Sequence, residues 1–378
     1  MKYLVFRLLE IPLFSVKALY KKGFLCYNEM IKKKGGSRLS ANEQYYKKTV
    51  GYIGWTMLIF YGLINLFSVA IVVLDFLLSA FASSETVYTV IYQTVYAAGY
   101  LTCFMLPVAF LRWMLRKCGY VYIPMDASPR LSPHFPWILF GGIAIIFAFS
   151  RINASLVSIF DYSAFSSEVL WGETTEELAP YEWVLQFIVM CVVPGFCEEF
   201  LFRGAILTNC RPFGRTNAIL ISSLLFALMH QNAEQILYAF AAGIFLGLVY
   251  EKTGSIWNCT LLHILNNFSS LFEGVLLEKL GSDLLGAVGI LLFEGAIFLL
   301  GICSLAILVI KTSKGRPDLS NGIFGKSFPA EESYASSPIS GKAAVRYFMA
   351  PSMVIFLVLC LLQIVFLILM AVLYGIFN

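Results

Sequence analysis

The chain has 378 residues, of which 59% are hydrophobic and only 13% charged, with a formal net charge of +4. A soluble domain carries about 45–50% apolar and about 25% charged residues, so a water-soluble core is excluded as the main class and the bilayer is the expected solvent. Nine cysteines occur singly, which argues against a disulfide or zinc-ribbon framework, and nothing in the charge pattern points to a nucleic-acid partner.

Residues 1–50 open with Leu4, Phe6, Leu8, Leu9, Leu13 and Phe14 interleaved with Lys2, Arg7 and Lys17. That pattern suits a helix lying at the membrane interface, with a disordered tail as an equal alternative. Glu10 and Lys17 interrupt the apolar run, so a cleaved signal peptide is a poor reading. Lys32, Lys33, Lys34, Arg38, Lys47 and Lys48 follow, and such clusters stay in the cytoplasm.

A spanning helix needs roughly 20 mostly apolar residues. Nine segments meet or approach this: 51–81, 87–115, 135–160, 181–208, 216–233, 235–251, 255–273, 284–310 and 347–377. Their connections alternate between non-basic (Ser83–Glu85; the acidic Glu168, Glu173, Glu176 and Glu177; Gln231–Glu234; an acid-leaning link with a single Lys279) and basic (Arg112, Arg116, Lys117 and Arg130; Arg203, Arg211 and Arg215; Lys252; Lys311, Lys314, Arg316 and Lys326). The alternation predicts an all-α polytopic transmembrane helical bundle of nine spans, N-terminus in and C-terminus out. Residues 312–345, rich in Ser, Gly, Pro and Lys, read as a cytoplasmic linker. The divisions are then 1–50, the helices of 51–180, a chemically loaded core at 181–275, a helix at 276–311, the linker, and a last helix at 346–378.

The loaded residues lie between 198 and 267. Ionisable side chains inside a span cost several kcal/mol unless paired or hydrated. The fourth segment nonetheless reads Val193-Pro-Gly-Phe-Cys-Glu198-Glu199-Phe-Leu-Phe-Arg203. Adjacent helical positions point about 100° apart, so the two carboxylates cannot share a role. Glu199 and Arg203 stand at i and i+4 and can pair, which leaves Glu198 to face a cavity. A structural polar network is the bland alternative, of equal weight on this segment alone. The fifth segment ends Phe226-Ala-Leu-Met-His230. A lone histidine on an apolar helix is more often a satisfied buried donor than a catalyst. The seventh contains His263-Ile-Leu-Asn266-Asn267, with His263 and Asn267 one turn apart. The chain has three histidines, and two of them sit in this constellation.

Glu-Glu-x-x-x-Arg, Phe-x-x-x-His and His-x-x-x-Asn, in this order on separate spans, resemble the CPBP or Abi family of intramembrane proteases. That family includes type II CAAX prenyl endopeptidases and bacteriocin-immunity relatives. The resemblance covers residues 181–275. It implies a membrane endopeptidase with Glu198, Glu199, His230, His263 and Asn267 as catalytic residues, supported by Arg203 and Phe226. Amide hydrolysis needs an activated water, an oxyanion stabiliser and a proton for the leaving amine. Glu198 is the candidate base, His230 shares the water or supplies the proton, and His263 with Asn267 holds the oxyanion. Glu198, His230 and His263 are also a set that could ligate zinc with water in the fourth position; HExxH is absent, and the metal-free version is preferred. The expected partners are the lipid bilayer and a peptide or protein substrate, prenylated or membrane-anchored. The loops look bacterial, which points to a plasma membrane. Competing classes are a transporter, which would show inverted repeats with broken helices in both halves, and a non-catalytic immunity or scaffold protein.

Overall fold

In the computed structural model the described residues are 41–158 except 121, 126 and 128, together with 179–280, 284–313, 339 and 341–377. Every regular element among them is helical. The expected interfacial helix over residues 1–17 and most of the 312–345 linker lie outside the described residues; residues 312 and 313 close one helix and 341–345 open another.

Each of the nine expected segments coincides with a helix. These are α1 (Ala41–Phe81), α2 (Glu85–Lys117), α3 (Phe135–Ser158), α4 (Pro180–Phe213), α5 (Arg215–Met229), α6 (Ala233–Thr253), α7 (Ile256–Leu280), α8 (Leu284–Ser313) and, after a short α9 (Gly341–Phe348), α10 (Pro351–Phe377). The segment expected at 347–377 is broken at Met349 and Ala350, because the residue before Pro351 is pushed out of helical geometry. Seven helices, α1 to α4, α6, α8 and α10, are long and apolar enough to cross a membrane. α5 has 15 residues, fewer than the roughly 20 a span requires, and Asn258, His263, Asn266 and Asn267 dilute the apolar run of α7.

The bundle is built around α4 to α7, whose facing side chains (Leu201, Phe202, Ile206, Leu225, Phe226, Leu262) are buried together. α1 and α2 form a hairpin turned at Ser84, whose Oγ accepts the Val87 N–H at 3.3 Å. The hairpin lies against α4 through α2. α10 returns to α1, where Ser352 Oγ donates to Gly51 O at 2.7 Å and Tyr61 OH donates to Gln363 Oε1 at 2.7 Å. α3 packs against α6 and α8. Leu291, Leu292 and Leu299 of α8 and Leu361 and Phe366 of α10 stay exposed, as lipid-facing side chains would.

The chain between α2 and α3 tucks beneath the start of α7. Asn258 Oδ1 accepts the Ser132 N–H at 2.9 Å, Trp257 Nε1 donates to Ala127 O at 2.9 Å and Ser255 Oγ donates to Arg130 O at 2.6 Å. His263, ~10 Å along α7, reaches Glu199 at 2.9 Å.

Candidate active site

α4 is not a regular helix. Between Phe187 and Val192, and again from Phe200 to Leu207, it widens into π-helix, with an α-helical stretch, Val193–Glu199, between them. Pro194 has no N–H to offer the carbonyl of Met190 four residues earlier. Met190 O instead accepts the amide of Asn267 Nδ2 from α7 at 3.3 Å. Single-turn π widenings recur at functional sites because they re-aim side chains; here two of them bracket Glu198 and Glu199.

Glu199 and Arg203 are fully buried. Arg203 Nη1 donates to Glu199 Oε1 at 2.8 Å, the i,i+4 pair expected from sequence, and Nη2 donates to Gly243 O of α6 at 3.1 Å. The guanidinium lies 4.6 Å from the centre of the Phe226 ring, a cation–π contact in a dry setting. A Cβ on Gly243 would sit 2.9 Å from Ser223 Cα, so glycine there lets α6 approach α5 closely enough to offer its carbonyl. His263 Nδ1 also meets Glu199 Oε1, at 2.9 Å. Because Glu199 is held as an acceptor by Arg203, Nδ1 carries the proton and Nε2 turns toward Glu198, 3.8 Å from Oε2.

Glu198 is buried, and its other oxygen, Oε1, accepts the hydroxyl of Tyr100 from α2 at 2.6 Å. Oε2 has no hydrogen-bond partner. His230 caps α5; its Nδ1 donates to Phe226 O at 2.9 Å, which leaves Nε2 as the ring's second polar atom. The Phe226 ring stands between the two imidazoles, 5.2 Å from His230 and 5.9 Å from His263. His230 lies in electrostatic reach of both Glu198 and His263. Glu198, Glu199, Arg203, Phe226, His230 and His263 thus converge. Asn267 is fastened to the α4 backbone one helical turn further along α7. Among the described residues no three His, Cys, Asp or Glu side chains are grouped as a metal ion would require.

Three contributors escaped the sequence reading. Tyr100 belongs to a run in which Tyr88, Tyr92, Tyr96, Tyr100 and Phe104 recur every fourth residue and stack in sequence along α2; that spacing is a legible signal of one aromatic helix face. Tyr238 of α6 lies in electrostatic reach of Glu198. Gln231, which follows His230, is buried with φ of 54°, and its Oε1 accepts Asn65 Nδ2 of α1 at 3.3 Å.

A membrane-embedded helical bundle with a carboxylate–histidine centre buried between its helices is the class that this fold and site define. Residues 180–269 match the family model of the type II CAAX prenyl endopeptidase Rce1-like proteins, and all the motif residues named above fall inside that match. The segment is similar to a CAAX-protease-like branch of the CPBP family, as the three motifs had indicated. No curated protein and no solved structure matches the chain.

Proposed function

We propose that the protein is an intramembrane endopeptidase that hydrolyses a peptide bond of a membrane-associated substrate with water activated by Glu198. The observation that carries this reading is the pairing of Glu198 Oε2 with His263 Nε2 across 3.8 Å. That gap is too long for a direct hydrogen bond and suits a water oxygen held between the two groups, which becomes the hydroxyl of the tetrahedral intermediate while the former carbonyl oxygen becomes the oxyanion. Glu198 Oε2 accepts a proton from the water, and the hydroxide adds to the substrate carbonyl. His263 acts here as the imidazolium: with Nδ1–H already given to Glu199, it donates Nε2–H to the oxyanion, and its charge is balanced by Glu199. Asn267 Nδ2 has a second proton beyond the one given to Met190 O and serves as the further donor. Collapse breaks the C–N bond, and the amine leaves with the proton that Glu198 took from the water, handed over directly or relayed through His230 Nε2. Arg203 does no chemistry: it holds the Glu199 carboxylate in place, at 2.8 Å, as the acceptor for His263. Residues 1–50 and 312–345 are cytoplasmic in this reading, and the site opens toward a substrate anchored in the bilayer, in a bacterial plasma membrane.

The test is cleavage of a library of membrane-anchored peptides, prenylated and unprenylated, by purified protein in liposomes. Turnover should fall by roughly 10²–10⁴ in His263→Ala and in His230→Ala, the usual range for one acid–base or oxyanion group, with KM little changed. Full turnover in either variant contradicts the role given to that histidine. Loss of cleavage with a chelator, restored by zinc, would replace the metal-free mechanism.

A further inference from the structure

We infer that Tyr100 is a positioning residue for Glu198, which decides which carboxylate oxygen acts as the base; this rests on the protease reading. Glu198 has three rotatable side-chain bonds, and in a wide, twice-bulged helix its backbone does not by itself fix them. Among the described residues one hydrogen bond holds the carboxylate, the 2.6 Å contact from Tyr100 OH to Oε1. Hydroxyl-to-carboxylate bonds of this length are charge-assisted and stronger than neutral ones. The donor is itself fixed. The Tyr100 ring stacks on Tyr96 on one side, with centroids 6.1 Å apart, and on Phe104 on the other, 4.8 Å apart. Phe104 is buried and meets Phe60 of α1 edge-on at 4.9 Å. A tyrosine with both faces covered has little freedom left in its two χ angles, so its hydroxyl has one place to point. Oε1 is thereby occupied and Oε2 is left facing His263 Nε2.

Tyr100 lies on α2, outside the 180–269 stretch that carries the family match. The working unit therefore extends into the N-terminal hairpin, and α2 is more than a lipid-facing support.

Tyr100→Phe tests this cleanly, because phenylalanine keeps both stacking contacts and removes one oxygen atom. Tyr92→Phe, two turns away on the same aromatic face, is the control. Two readouts are needed: kcat and KM for peptide cleavage, and the infrared carboxylate band of Glu198, assigned as the band lost in Glu198→Gln. The expected result is a tenfold or larger fall in kcat with KM within twofold, together with a shift of the Glu198 band, in Tyr100→Phe and not in Tyr92→Phe. An unmoved band, or a moved band with kcat within twofold of wild type, overturns the inference and leaves the protease reading standing. A wild-type protein that cuts no peptide overturns the protease reading, and with it this role for Tyr100, whatever the band does.

Discussion

At the scale of single residues, the two neighbouring carboxylates differ in what holds them. Glu199 is clamped by Arg203 and His263 through one oxygen, while Glu198 is held by a single hydroxyl and keeps Oε2 unpaired. Glu198→Gln should therefore abolish cleavage with the thermal unfolding curve in detergent nearly unchanged. Glu199→Gln should lose activity and also stability, because Arg203 is left buried without its counter-charge, a loss of about 3–5 kcal/mol for a buried pair broken on one side. The reverse outcome, a stable inactive Glu199→Gln beside an active Glu198→Gln, would exchange their roles. Arg203→Lys should behave like Glu199→Gln, since a lysine ammonium cannot at once span Glu199, Gly243 O and the Phe226 face. Much at this scale was legible in the sequence, because both the 100° offset and the i,i+4 pairing are properties of one helix. The His263–Glu199 and Tyr100–Glu198 bonds were not, since each joins helices whose relative rotation and depth no local pattern encodes.

At the scale of elements, the site depends on departures from regular helix geometry and on close contacts. Pro194 removes an N–H from Met190 O, and Asn267 supplies one from α7, so Asn267 works partly as a tie between helices. Asn267→Ala should cost less turnover than His263→Ala and should also loosen α4 against α7, seen as lowered thermal stability without substrate; a variant as stable as wild type with the full activity loss of His263→Ala would make it purely catalytic. At Gly243 an added Cβ meets Ser223 Cα at 2.9 Å. Gly243→Val should push α6 from α5 and cost about 1–3 kcal/mol, as overpacking does, with Arg203 losing its carbonyl partner; unchanged unfolding in detergent would contradict that packing. Nine of the ten helices among the described residues were readable from apolar runs and breakers, and the short α9 was not. The π-helical widening of α4 was not, since a proline announces a defect without saying how the backbone absorbs it.

At the scale of the whole molecule, the N-terminal and C-terminal helices brace the core through polar ties: Asn65 to Gln231 beside His230, and Tyr61 to Gln363 between α1 and α10. In the proposed nine-span topology α5 and α7, the one short and the other polar, cross with Asn258 and His263 buried in the bundle. The charge alternation makes this testable. With Cys26 and Cys303 replaced, native Cys118, and in a background also lacking Cys118 the cysteines at Lys252 and Met349, should label from one side of sealed vesicles, and cysteines at Ser84 and Asn232 from the other. Labelling of Ser84 and Cys118 from the same side, or of Asn232 and Lys252 from the same side, would refute nine crossings.

The claim beneath all three scales is that Glu198 activates water for peptide hydrolysis within the bilayer. Its most direct test compares wild type with Glu198→Gln in proteoliposomes, scoring cleavage of the anchored-peptide library by mass spectrometry in water enriched in oxygen-18. Wild type should release fragments carrying one solvent oxygen at each new carboxyl terminus, and Glu198→Gln, equally folded, should release none above background. Cleavage by Glu198→Gln at the wild-type rate, or no cleavage of any peptide by wild type, would contradict the account.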